Sequence, residues 1–203
     1  MEPRILLLPI RELRVHEKAD KHHAQRIAHS IAAAGQVLRP IIVEEKTLTI
    51  IDGHHRYTAL RLLGATRAPV VLARYGEDIE AVNPPTRTLT VRADSAEEAL
   101  LFLAELLEKS VPRGSARLEL RHAGLKLVLH RDKVLLHHAL ARLENQALGR
   151  GDKAYKIRAI AEPPSPAEIL GAAARSEQYP IKTTIHVTSL KKLVAPTRLK
   201  NLF

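Results

Sequence analysis

The feature that most constrains this chain lies between residues 48 and 64. The β-rich run Leu48–Ile51 stops at Asp52-Gly53, and a helical pattern, His54–Leu63, begins at once and closes at Gly64. A strand, a glycine turn and a helix in immediate succession define a geometry with chemical consequences. The first N–H groups of a helix have no internal partner and together form an anion site. Gly53 lets the backbone approach an anion closely. Arg56 carries a planar fork of donors that matches phosphate oxygens, and His54 and His55 add donors at the same mouth. Asp52 is a hard oxygen ligand for Mg2+, or a proton acceptor.

The flanking sequence frames this junction as a mixed α/β fold. Arg4–Leu8 reads as a short buried strand. Residues 20–34 read as a helix, with Asp20 at its N-cap, Ala24, Ile27, Ala28 and Ile31 on one face and Gly35 closing it. Pro40–Val43 and Leu48–Ile51 form a hairpin, and Pro69–Ala73 another buried strand. Residues 76–87, with Gly76, Asp78, Asn83, Pro84 and Pro85, give the clearest boundary. Two domains are therefore expected, 1–78 and 79–203. In the second, Thr88–Arg92 reads as a strand, and Ser95 with Glu98 opens a helix to about Lys109. Ala116–Arg121 and Leu125–His130 form a hairpin. Asp132–Ala147 reads as a helix and Tyr155–Ile160 as a strand. Ser165-Pro166-Ala167-Glu168 caps a last helix. A strand near His186–Thr188 is expected in the basic tail.

Composition narrows the chemistry. The 203 residues carry a formal net charge of +10, which fits an anionic partner: a nucleotide, a phosphorylated metabolite or a nucleic acid. There is no cysteine, so disulfides, thiolate metal ligands and thiol nucleophiles are excluded. Four Tyr, two Phe and no Trp leave an aliphatic core. One Met among many charged residues suggests heat adaptation. The apolar run Ile5–Ile10 is too short for a membrane span or signal core, so a cytoplasmic protein without membrane contact is expected. The adjacent pairs His22-His23 and His137-His138 do not face one another on a helix and read as solvated. Lys191-Lys192 and Arg198–Lys200 read as solvated tail rather than a nucleic-acid arm, because few aromatics accompany them.

Residues 5–75 resemble the ParB/sulfiredoxin-like superfamily. The marks are His16-Glu17 after the first strand, the helix closing at Ala34-Gly35, Pro40-Ile41-Ile42-Val43, and Asp52-Gly53-His54-His55-Arg56-Tyr57-Thr58-Ala59-Leu60. The sulfiredoxin branch needs a cysteine where His54 stands. The chromosome-partition branch has Gly-Glu-Arg-Arg in this segment and a helix-turn-helix region beyond it. The chain is most similar to the third branch, kinases of free L-serine, through Asp-Gly-His-His-Arg-Tyr, through Glu17, and through Pro180-Ile181-Lys182-Thr183-Thr184-Ile185-His186. It departs at Ile185, where a basic residue is expected.

That resemblance implies a ParB-like nucleotide-binding domain followed by a second α/β region whose C-terminal segment completes the acceptor site. It implies transfer of a phosphoryl group from ADP, or ATP, to L-serine, giving O-phospho-L-serine, a step in cysteine biosynthesis. Gly53, His54, His55 and Arg56 would bind nucleotide phosphates. Mg2+ would bridge them, with Asp52 as a contact, and Glu17 would take the hydroxyl proton. Lys182, Thr183, Thr184 and His186 would hold serine. The alternative is a ParB-like nucleotide- or DNA-binding regulator without phosphotransfer.

Overall fold

The chain groups into two compact units, each with its own buried hydrophobic residues, and they do not divide it at a single point. The computed structural model describes residues 3–203. One unit comprises the chain up to Asn83 together with Ser165–Ile181 and His186–Phe203; the other comprises Pro84–Pro164 and Lys182–Ile185. A cut at residue 78 assigned everything beyond it to one region. The actual grouping differs because later segments supply packing that the first unit lacks: Leu202 is fully buried in the first core, and its carbonyl accepts from Thr66 N at 2.7 Å.

In the first unit β1 (Ile5–Pro9) leads to α1 (Lys21–Ala34), β2 (Gln36–Val37), β3 (Ile41–Glu44), β4 (Ile50–Asp52), α2 (His54–Leu62), β5 (Arg67–Ala73) and β6 (Ala81–Asn83). Asp20 caps α1 by accepting from His23 N at 2.6 Å, and Gly35 ends it in the left-handed conformation, φ 64°. The four-stranded sheet has the order β1-β5-β3-β4, with β1 antiparallel to β5, β5 parallel to β3, and β3 antiparallel to β4 as the expected hairpin. All four residues of β3 are buried, as a strand central to a covered sheet requires.

In the second unit β7 (Thr86–Ala93), α3 (Ala96–Ser110), β8 (Ala116–His122), β9 (Leu125–Arg131), α4 (Lys133–Leu143), β10 (Ala147–Gly149) and β11 (Lys153–Ala161) form a five-stranded sheet of order β10-β7-β11-β8-β9. The apolar faces of α3 and α4 pack on one side of it, around Leu89, Leu103, Leu107, Leu118, Leu136 and Leu140. Two expectations fail here. The helix from Asp132 stops at Leu143, and Ala147 belongs to β10, paired in parallel with Thr90 of β7. The i, i+4 spacing of Leu143 and Ala147 suggested a continuing helix, but the sheet edge captures this segment. His137 is fully buried, not solvated: its ring lies 3.0 Å from the Glu162 carbonyl, and burial pushes its pKa down to about 4.

The chain then returns to the first unit through α5 (Pro166–Ala174), whose N-terminus carries the expected reciprocal cap between Ser165 and Glu168. β12 (Ile185–Val187) pairs with β6, and β13 (Thr197–Arg198) pairs with β2. Among the described residues no helix is long and apolar enough to cross a membrane.

Candidate active site

The strand–glycine–helix junction forms as the sequence indicates. β4 ends at Asp52, Gly53 takes φ 105°, and α2 starts at His54 with no side chain capping its first turn. The opening N–H groups of α2 thus lack a side-chain acceptor, as an anion site requires. Gly53 has a second function besides the turn. A Cβ at this position would stand 3.2 Å from the Arg56 guanidinium carbon, so the glycine makes room for Arg56 to fold back over the turn.

Arg56 is already engaged within the protein. Its guanidinium donates to the Asp52 carboxylate, to the Pro40 carbonyl and, at 3.1 Å, to the Arg39 carbonyl. Three of the five N–H donors of an arginine are used in this way. The residue therefore ties the loop before β3 to the end of β4, and its charge sits at the helix mouth. Asp52, with its side chain 32% exposed, is correspondingly ion-paired. It offers one carboxylate to a cation, and no cluster of three metal-ligating side chains exists among the described residues. A single carboxylate fits a hard cation that keeps most of its oxygen ligands from elsewhere, since such an ion commonly takes one or two carboxylates from a protein.

His55 points to α1 rather than standing free. Its Nε2 accepts from Asp20 N at 3.1 Å, which places the proton of the neutral ring on Nδ1. Its ring meets His23 edge-on, centroids 4.7 Å apart. Burial and then His23 hold its pKa below the usual value, against the pull of Asp20 and Asp52.

His54 faces inward and joins a cluster that the sequence did not reveal. His16 contacts His54 at 4.6 Å and His186 at 5.9 Å between ring centroids, both edge-on. His16 also hydrogen-bonds the Ile50 backbone of β4. Tyr75, just beyond β5, places its hydroxyl 2.9 Å from His186 Nε2. All three rings are held neutral. Burial is the main cause in each, lowering His54 to about 3 and His186 to about 4, and His16 well below its ordinary value. His54 Nε2 and His186 Nδ1 are buried and have no hydrogen-bond partner among the described residues. Such atoms are costly unless something else satisfies them.

Glu17 is adjacent to His16 and is 9% exposed. Its backbone is fixed on both sides. Arg14 N donates to Leu48 O at 3.0 Å, Tyr179 N donates to His16 O at 2.8 Å, and Lys18 N donates to Tyr179 O at 3.0 Å. Glu17, Asp52, Gly53, His54, His55, Arg56 and His186 therefore all belong to the first unit. Lys182, Thr183 and Thr184 group with the second. Of these, Lys182 is exposed with φ 62° and Thr183 is fully buried. Sequence reading missed Tyr75 and Tyr179. Tyr75 carried only the weak signal of an aromatic just past a strand in a chain with few aromatics.

Residues 4–82, which hold this junction, match the ParB N-terminal domain. Along its whole length the chain is similar to a more particular protein, the ADP-dependent L-serine kinase SerK of Thermococcus kodakarensis. The two are 23% identical over 226 residues, covering 98% of this chain and 93% of the relative. Among solved structures, a variant of a free serine kinase in complex with AMP matches with a TM-score of 0.72 at 19% identity, over 98% of this chain and 94% of that one. SbnI with a C-terminal truncation, from Staphylococcus aureus, matches with a TM-score of 0.69 at 19% identity, over 91% and 83%. These structures share the mixed α/β fold.

Proposed function

We propose that the chain is a free-amino-acid kinase that transfers a phosphoryl group from ADP to the hydroxyl of L-serine, giving O-phospho-L-serine and AMP. The observation that carries this reading is the end-to-end similarity to an ADP-dependent L-serine kinase, which spans both units. An uncapped helix mouth beside a half-buried arginine supports it from the chain itself.

In this reading the nucleotide phosphates rest on the first N–H groups of α2, at His54, His55 and Arg56. The Arg56 charge contributes to their neutralisation while its bonds to Asp52 and to the carbonyls of residues 39 and 40 hold the mouth in shape. Mg2+ bound with the nucleotide would neutralise further phosphate charge, with Asp52 its contact in the protein. Glu17 takes the proton from the serine hydroxyl as that oxygen attacks phosphorus, and AMP leaves. Lys182, Thr183, Thr184 and His186 hold the amino acid, and a neutral His186 contributes a hydrogen bond without adding charge. Phosphoryl transfer needs mainly such positioning and charge stabilisation.

The test is incubation with L-serine, Mg2+ and either ADP or ATP, followed by separation of products. O-phosphoserine with AMP is expected from ADP. O-phosphoserine formed only from ATP, with ADP released, would retain the acceptor and replace the donor. Absence of O-phosphoserine with both nucleotides rejects the reading.

A further inference from the structure

The helices of the second unit cover one face of its sheet, and the other face is open and strongly basic. The register sets the charges abreast: Arg158 of β11 lies opposite Thr88 of β7 and Arg121 of β8, and Arg121 lies opposite Lys126 of β9. All four side chains in this row are on exposed positions. Like charges directly opposite on neighbouring strands destabilise a sheet. One carboxylate, Glu119, relieves this row, and it is shared among Arg117 at 2.6 Å, Lys126 at 3.5 Å and Arg121. Among the described residues neither Arg158 nor the neighbouring Lys156 has a carboxylate partner. A basic surface for solubility alone does not call for cations stacked in register. A bound polyanion offsets the repulsion.

We propose that this open sheet face binds the phosphate backbone of duplex nucleic acid without reading its sequence. Arginine, lysine and threonine hydroxyls are the common partners of phosphate oxygens, and this row presents all three. Among the described residues this face carries no Phe, Tyr or Trp, and its one ring is the His130 imidazole, so the stacking platform that marks single-strand binding is not provided for. Among the described residues Val128 and Ile160 are its only large apolar members, too little for insertion into a lipid surface. The proposal stands apart from phosphotransfer and does not depend on it.

The experiment is a fluorescence-anisotropy titration of a random-sequence DNA duplex across a salt series. The wild-type protein is expected to bind in the range of about 10⁻⁴ to 10⁻⁶ M at physiological salt, with affinity falling as salt rises. Each lost phosphate contact lowers the log–log salt slope by about 0.9, so Arg121→Gln/Lys126→Gln/Arg158→Gln should lower it by about 2.7. The triple Arg11→Gln/Arg67→Gln/Lys200→Gln removes the same charge from exposed positions of the first unit and should leave the slope unchanged. Circular dichroism checks folding, and the single variant Arg158→Gln, with an expected loss of about 0.9, replaces the first triple if that does not fold. Equal losses in both triples, no duplex binding by the wild type, or tighter binding to anionic lipid vesicles through the same residues would each overturn the proposal.

Discussion

The Tyr75 hydroxyl lies 2.9 Å from Nε2 of His186, a residue 111 positions further along the chain. Burial raises the phenol well above its ordinary pKa, so it remains a donor throughout the physiological range. In the tautomer in which the hydroxyl donates to Nε2, the ring proton of neutral His186 sits on Nδ1, the buried atom with no partner among the described residues. Tyr75→Phe removes that bias. Loss of one such hydrogen bond is worth about 1–1.5 kcal/mol, so the KM for L-serine should rise by about five- to tenfold while nucleotide affinity stays near wild type. Nitrogen-15 NMR of the His186 ring should show mixed tautomers in the variant. An unchanged tautomer and unchanged kinetics would leave Tyr75 a packing residue only.

Glu17 is the proposed base, and its backbone is clamped between β4 and Tyr179. Glu17→Gln keeps the shape and removes the proton acceptor. General-base catalysis is worth about 10²- to 10⁴-fold, so kcat should fall by that order with KM little moved. Steady-state kinetics separates the outcomes. A rise in KM alongside the loss marks a positioning role, and a kcat within a few-fold of wild type transfers the base assignment to Asp52.

At Gly53 the backbone and the guanidinium make one demand together. Gly53→Ala forces φ 105° on a residue with a Cβ and sets that carbon 3.2 Å from Arg56. Strain of this kind costs about 1–3 kcal/mol, so the melting temperature should fall. Arg56 should be displaced as well, and nucleotide affinity measured by calorimetry should drop by about tenfold or more, with a smaller change for serine. Arg56→Ala should reproduce the affinity loss without the backbone strain. Full nucleotide affinity in both variants would remove the phosphate site from this turn.

The buried histidines make stability depend on acid in a definite direction. His54 is held at about 3, and His137 and His186 at about 4, whereas the unfolded chain titrates them near 6.5. Their neutral forms are native, so their full contribution is present above about pH 7. It is lost as pH falls through 6.5 toward 4, where the unfolded state takes up protons that the native state refuses. Each ring contributes up to about 1.4 kcal/mol per pH unit within that window. Urea midpoints should therefore fall between about pH 7 and pH 5, and His137→Gln should flatten the part belonging to the second unit. A midpoint independent of pH across this range would mean that the rings are protonated in the folded protein.

Local chemistry made much of this architecture legible. Asp20 and Gly35 bracket α1, Ser165 and Glu168 close reciprocally on α5, and Asp52-Gly53 marks the turn into α2, because caps and turns depend on residues only a few positions apart. What escaped depended on partners distant in sequence. Leu143 and Ala147 share a helical spacing, yet a parallel partner in β7 draws Ala147 into a strand. The burial of His137 follows from the Glu162 carbonyl, 25 residues away. The His16–His54–His186 cluster joins three segments whose histidines look unrelated when read singly. The Ser95 cap shows the limit of a motif: Ser95 accepts from Glu98 N as expected, but the Glu98 carboxylate takes its hydrogen bond from Asp94 N instead of from Ser95.

The return of residues 165–181 and 186–203 to the first unit has a consequence for synthesis. A ribosome that has released β1 to β6 has not yet made Tyr179, which brackets Glu17, nor His186, nor Leu202, which fills the first core. The second unit, whose strands and helices lie almost wholly between residues 84 and 164, is available to fold before the first is complete. The nascent first unit must therefore wait for Tyr179, His186 and Leu202 to be made. A ribosome stalled anywhere before Leu202 leaves the first unit without one of its buried core side chains, however correct the preceding residues are.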